Sequence, residues 1–337
     1  MKPTLLVSSG GGHLKQLYTL AGRLGIPPEE QFWVTFDNVL SRSLLADRRV
    51  EYAPFAGPRD GLNIFRIATM ARRILAENDF ARAISTGSSP AVAFLPQASR
   101  RGIPSHYIES AARADGPSVS GKIISRFAKI ATYTQYPVWS DQRWQYRGSI
   151  FDAHEQGGTS GATQQLRRAV VSVGTQDGYS FDRLYANLAP LLTGMEVLWQ
   201  TGPQDVTGFG ITNARASVPH AELSAAVARA DVVIAHAGTG AALTAIEAGK
   251  CPILVPRLAR YNEHIDDHQL QIAAELHRRG LAISTPAEKL STSVPPDPAS
   301  RPTLRVDAPP FYLDELAPAK SPRRVGRAVR KTTITTM

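Results

Sequence analysis

The chain of 337 residues holds one cysteine, Cys251, so no internal disulfide can form and a reducing compartment is expected. No Cys/His cluster has the spacing of a structural zinc site. No apolar run approaches the roughly 20 residues of a membrane-spanning helix, which leaves only peripheral contact with a bilayer. Met1-Lys2-Pro3 followed by Thr4-Leu5-Leu6-Val7 resembles the start of a signal peptide, but the apolar run ends at Ser8-Ser9-Gly10 and reads as a first strand. Acid is the scarcer charge: 29 Asp+Glu against 38 Lys+Arg give a net charge of +9. Such a balance suits nucleic acid, anionic lipid or a phosphorylated substrate. Nucleic acid has only this charge in its favour, because aromatic and basic residues are not interleaved as stacking platforms require, and it is not expected as a partner.

What is present is 43% hydrophobic residues over a length that suits two domains. Short apolar runs alternate with helix-like segments, the pattern of parallel sheets with helical crossovers. Strands are expected at Thr4-Ser8, Phe32-Phe36, Arg82-Ser85, Pro104-Glu109 and Ile130-Thr134, and again at Ala169-Val173, Val197-Gln200, Asp231-Ala235 and Pro252-Val255. Between the two sets, AHEQGGTSGATQQ (153–165) is almost free of apolar residues and reads as a linker. The expected organisation is therefore an α/β chain with an N-terminal doubly wound domain (1–152), a linker (153–166), a second such domain (167–290) and a Pro-rich, basic, largely irregular tail (291–337). Lys320, Arg323, Arg324, Arg327, Arg330 and Lys331 supply the tail's charge. Doubly wound sheets bind ligands beyond the carboxyl ends of their strands, so the loops there carry the chemistry.

The first such loop is Gly10-Gly11-Gly12-His13, opening a helix that continues Leu14, Leu17, Leu20. Glycines allow close backbone approach to a ligand, the helix N-terminus favours an anion, and His13 can take a proton near neutral pH. The same residues also suit a tight turn capped by His13. The spacing is not G-x-G-x-x-G, which weakens a dinucleotide assignment. A second loop, His236-Ala237-Gly238-Thr239-Gly240, links a strand to a helix reaching Glu247, an arrangement suited to a diphosphate. Glu247 lies about 10 Å along the axis from Gly240, within reach of a ribose; alone it would be an ordinary solvated charge. A third stretch, Asn262 to Leu270, offers His268 and Gln269 to sugar hydroxyls, or is a helix start capped by Asp266 or Asp267. His264 and His268 lack the Glu placement of a zinc protease, so metal is not expected there.

The stretches HAGTGAALTAIEAGKCPILVPR and HQLQIAAEL, with Val171-Thr175 and Phe181-Leu184, resemble the UDP-binding domain of family 28-type glycosyltransferases, in particular the catalytic subunit of the two-subunit dolichol-pathway GlcNAc transferase. SSGGGHLKQL, Ser85-Thr86-Gly87, Tyr107-Arg113, Ser118-Lys122 and Tyr133-Tyr136 resemble its membrane-recruiting partner, so the chain looks like the two halves fused, as in bacterial polysaccharide-assembly transferases. The resemblance covers residues 1 to 285. It implies a GT-B fold, in which two Rossmann-like domains face a cleft. It further implies an inverting transfer, with no metal or other cofactor, from a UDP-sugar to a polyprenyl diphosphate-linked saccharide in cell-surface polysaccharide assembly, on the cytoplasmic face of the plasma membrane. By it, Gly238, Thr239 and Gly240 contact the diphosphate, Gly174 and Thr175 line the phosphate side with His236, Glu247 meets the ribose, and His268 and Gln269 meet the donor sugar. His13 is the general-base candidate and Glu109 the competing one, with Gly10, Gly11 and Gly12 as the acceptor-side phosphate loop. UDP-GlcNAc 2-epimerases share the architecture and are the alternative enzyme class; an acceptor-binding scaffold without catalysis is the third.

The eukaryotic partner subunit has a membrane span that this chain lacks, so recruitment falls to the surface. The apolar and basic stripe of 61–76, with Phe65, Arg66, Arg72 and Arg73, is the candidate contact with an anionic membrane surface; such a stripe also suits ordinary core packing. The donor sugar is open. Arg257, Arg260 and His264 could pair a carboxylate, which makes a glucuronosyl donor one option beside glucose, galactose and GlcNAc.

Overall fold

The structure, a computed structural model, describes residues 1–57, 60–158, 166–175, 178–292 and 302–314. The middle of the expected linker and the basic cluster at 320–331 lie outside the described residues.

The N-terminal half begins with β1 (Thr4–Ser8), α1 (Gly12–Arg23), β2 (Gln31–Phe36), α2 (Val39–Leu44) and β3 (Arg49–Ala53). It continues with α3 (Gly61–Glu77), β4 (Arg82–Gly87), α4 (Ser88–Arg100), β5 (Ser105–Ile108), α5 (Val119–Ile124), β6 (Ile130–Thr134) and β7 (Trp144–Tyr146). These strands form one parallel sheet in the order β3-β2-β1-β4-β5-β6-β7. β1 and β2 are buried at every position because helices cover both faces, so they read as unbroken apolar runs.

After β8 (His154–Gln156) the second half runs β9 (Arg168–Ser172), α6 (Asp182–Leu188), β10 (Glu196–Gln200), α7 (His220–Arg229), β11 (Val232–His236), α8 (Thr239–Glu247), β12 (Ile253–Val255), α9 (His268–Arg278), β13 (Ile283–Ser284) and β14 (Thr303–Arg305). Its parallel sheet has the order β10-β9-β11-β12-β13. Strand order reverses between β1 and β4 in the first sheet and between β9 and β11 in the second, so each domain has a switch-point crevice at its carboxyl rim.

The domains share a core. Leu14, Leu17 and Leu20 of α1 belong to the same buried cluster as Ala242, Leu243 and Ile246 of α8 and Ile272 and Leu276 of α9. That is why α1 is buried on more than its sheet-facing side, with Lys15 and Gln16 inside as well. Residues 302–314, placed by sequence in the irregular tail, clasp both halves. β14 pairs antiparallel with β8, Thr303 Oγ1 donates to the Ile246 carbonyl at 2.9 Å, and Phe311 is buried against Tyr133 of the first domain. Among the described residues no helix is long and apolar enough to cross a membrane.

Candidate active site

The two crevices face each other. At the first, Gly11 caps α1 with φ 65° and no side chain caps the helix, so its first-turn N–H groups point outward unclaimed by a capping side chain. At the second, Gly238 caps α8 and again no side chain caps. The loops touch: a Cβ on Gly12 would stand 3.4 Å from the Gly240 nitrogen, and one on Gly240 would stand 3.2 Å from the Gly12 Cα. Two helix N-termini thus converge on one place, each favouring negative charge. Gly10 packs against the Asn38 side chain.

His13 does not cap its helix. Its Nδ1 lies 2.8 Å from the Thr86 carbonyl oxygen. A carbonyl only accepts, so Nδ1 carries the proton and Nε2 keeps its lone pair. Thr86 returns the contact by donating its hydroxyl to the His13 carbonyl at 2.8 Å. β4 ends here, so the switch point joins His13 to Thr86. The ring lies over Gly87, whose φ is 124° and where a Cβ would come within 3.0 Å of His13 Cε1. Burial, together with the fields of His268 and Arg113, lowers the His13 pKa to about 4 against the pull of the Thr86 bond. His13 is therefore neutral at physiological pH.

Glu109, just past β5, is fully buried. Its Oε1 accepts from the Ser110 N–H at 3.0 Å, and its Oε2 accepts from the Ser118 N–H at 2.9 Å and the Ser118 hydroxyl at 3.0 Å. Burial raises its pKa despite these donors.

On the donor-side rim, the His236 ring packs against Gly174 (φ 81°) and Gly238, and its Nδ1 lies 3.3 Å from the Ser172 carbonyl. Burial, with the field of Arg257, depresses the His236 pKa to about 3. Thr175 is exposed beside it. Thr239 is buried in the first turn of α8. Glu247 is not free: Lys15 Nζ lies 2.6 Å from its carboxylate and Thr19 donates to it at 3.2 Å, both from α1. Gln269 is buried, with Oε1 accepting the Arg257 N–H at 2.9 Å, so its carbonyl pins the loop after β12. Asp266 accepts from His268 Nδ1 and pairs with Arg113 of the first domain at 2.8 Å, which brings His268 to the cleft opposite His13. His264 stacks on Tyr179, with ring centroids 5.5 Å apart. Asp267 stands at the N-cap of α9 but its carboxylate accepts from the Ala259 N–H, while Asp266 accepts the His268 N–H at the helix start at 3.3 Å.

Ligand atoms of His264, Asp266 and His268 lie within 4.8 Å of one another, the grouping of a cation site. With Arg113 on Asp266 and the Arg257 field on His264, the surroundings are electropositive and suit an anion better. Lys15 and Arg113 are the residues that sequence reasoning did not assign a role. Both act across the domain interface, a pairing that no local pattern announces.

On the outer surface, α3 buries Ile67, Ala71, Ile74 and Leu75 and leaves Phe65 69% and Leu62 63% exposed. Arg66 donates to Asn63, Arg73 pairs with Glu51 and Glu77, and Arg72 is exposed. Phe55, Val119 and Val138, also exposed, follow β3, β5 and β6, so this apolar fringe lies on the same rim as His13.

Two parallel doubly wound domains joined at facing switch points are the GT-B fold. The second half is more specific: residues 157–296 match the Glycosyltransferase family 28 C-terminal domain. MurG of Acinetobacter baumannii superposes with a TM-score of 0.56 at 19% identity, covering 86% of this chain and 87% of that one. UDP-GlcNAc 2-epimerase of Methanocaldococcus jannaschii superposes at 0.54 with 10% identity, over 86% and 90%. At these identities the likeness is one of fold. In sequence, the chain is 37% identical over 78 residues to the UDP-N-acetylglucosamine transferase subunit ALG13 of Yarrowia lipolytica, a stretch covering 23% of this chain and 34% of that relative. The chain thus spans about a third of the length of this curated relative.

Proposed function

We propose that the protein is an inverting, metal-independent glycosyltransferase that moves a sugar from a UDP-sugar to a polyprenyl diphosphate-linked saccharide, working peripherally at an anionic membrane surface on the cytoplasmic side. The observation that carries this reading is the meeting of the two glycine loops, with the His13 Nε2, which has no hydrogen-bond partner among the described residues, beside them. The uncapped N-terminus of α8 suits the donor diphosphate, and the α1 loop suits an acceptor's phosphate. The acceptor hydroxyl attacks the anomeric carbon as its proton passes to His13 Nε2, the bond to UDP breaks, and N–H groups at Thr239 and Gly240 take up the charge growing on the leaving oxygen. A single displacement inverts the anomeric centre. His13 suits the base role better than Glu109, because both Glu109 oxygens are already engaged by donors. Exposed Phe55, Leu62, Phe65, Val119 and Val138 on the His13 rim suit entry of a lipid acceptor from a bilayer.

The test is release of UDP, coupled to sugar transfer onto lipid-linked acceptor in a membrane extract, in the presence and absence of EDTA. Transfer unaffected by EDTA supports the reading; transfer abolished by EDTA and restored by a divalent ion overturns metal independence. A second reading, sugar isomerisation, is favoured by the fold shared with the Methanocaldococcus epimerase. Isomerised UDP-sugar formed without any acceptor would establish it. Failure to bind UDP by calorimetry would instead favour a non-catalytic scaffold.

A further inference from the structure

Two arginines stand behind the donor-side rim, and their surroundings differ sharply. Arg183 of α6 is fully matched. Its Nε and one terminal nitrogen take the two oxygens of Glu263 at 3.0 and 2.8 Å, the other terminal nitrogen takes Glu288 at 2.9 Å, and the Pro256 carbonyl accepts at 3.3 Å. Arg257, two residues past β12, is 3% exposed. Among the described residues its guanidinium makes no ion pair and no hydrogen bond, and its Nε is buried without a partner. Glu263, the acid whose field reaches it, is already held by Arg183 and the Leu258 N–H. Its remaining neighbours offer no negative charge: the Phe181 ring at 5.3 Å, Tyr185 with its own buried and unpartnered hydroxyl, and the histidines His236 and His264.

An arginine does not shed its proton to escape such a place, so among the described residues this charge stands without a counter-ion, and an incoming anion can supply one. His236 packs against Gly174 and Gly238 in the loop before α8, and Arg257 stands in the loop after the neighbouring strand β12, at the same carboxyl rim, its backbone N–H held by Gln269. We propose that Arg257 is the anion subsite of the donor pocket and receives an oxyanion group of the nucleotide sugar, either a diphosphate oxygen or the carboxylate of a hexuronate. The proposal rests on this half of the chain being the donor domain.

Calorimetry of the wild type and Arg257→Met with UDP, UDP-glucose and UDP-glucuronate tests it, with thermal melting of both ligand-free proteins alongside. The expected result is a loss of affinity of about tenfold or more in Arg257→Met. A loss shared by all three ligands places the diphosphate at Arg257; a loss confined to UDP-glucuronate places the carboxylate there. The ligand-free variant should melt at or above the wild-type temperature, since an unmatched charge has been removed. Arg257→Lys should retain part of the affinity. Wild-type affinity of Arg257→Met for every ligand that the wild type binds overturns the proposal. So does a ligand-free variant that melts well below wild type or fails to fold, because Arg257 would then be matched within the chain. If the wild type binds none of the three, the donor-domain reading fails, and the subsite with it.

Discussion

His13 is held by the Thr86 carbonyl, and its ring occupies the space that a side chain at Gly87 would take. Two substitutions test its role separately. His13→Ala should lower kcat by about 10²–10⁴-fold with KM for the UDP-sugar little changed. Gly87→Ala keeps the imidazole but sets a Cβ 3.0 Å from Cε1 and 3.1 Å from the Tyr107 hydroxyl, on a backbone with φ 124°. It should therefore displace the ring and lose a comparable part of the activity. Full activity in His13→Ala would remove it as base and return the role to Glu109. The place of His13 at the rim was legible because Gly10, Gly11 and Gly12 lead into it from a strand end. The tautomer was not, since Thr86 arrives from 73 residues away. Nor was the engagement of Gln269, whose carbonyl reaches back to the Arg257 N–H instead of standing free.

Among the elements, the α1–α8 pair joins the halves, and its ion pair is unequally exposed: Lys15 is 5% exposed while the Glu247 side chain retains about a third of its surface. Removing the acid alone leaves a buried ammonium, with the His220 ring at 3.4 Å as its remaining hydrogen-bond partner among the described residues. Glu247→Ala should then cost about 1–3 kcal/mol in urea unfolding, discounted for the solvent reaching Glu247, whereas Lys15→Met should cost less. Equal stability of both variants and wild type would contradict the pairing. For α3, Leu62→Asp with Phe65→Asp should weaken binding to anionic vesicles without lowering the melting temperature, because both side chains stand in solvent. Unchanged vesicle binding would move the membrane contact elsewhere. Strands in the sheet interiors were legible from sequence because both their faces are buried. β3 was not: RVEYA is an edge strand with a single buried position, so its half-solvated pattern carries no apolar run. β13, with only two residues, carries too little pattern to read.

At the scale of the whole molecule, the fold stores neutral histidines. Burial lowers the pKa of His13, His106, His220 and His264 to about 4 and of His236 to about 3. Each group binds a proton in the unfolded chain at about 6.5 but not in the folded one, so stability is full above pH 6.5 and is lost as pH falls toward 4. Glu109, raised by burial, pulls the other way but is one group against five. Melting temperature should therefore fall by more than about 5 °C between pH 7 and pH 5; a flat profile would mean that these rings are solvated. The two-domain plan was legible because each domain repeats the strand–loop–helix order. The closing clasp by 302–314 was not, since a proline-rich stretch gives no period from which Phe311 could be placed. The most direct test of the central claim is to incubate the purified protein with a UDP-sugar, with and without polyprenyl diphosphate-linked saccharide, and to analyse both sugar and lipid products. An anomerically inverted sugar on the lipid-linked acceptor and stoichiometric UDP are expected, with an unaltered donor when acceptor is withheld. Isomerised donor in the absence of acceptor, with no sugar on the lipid, would contradict that claim.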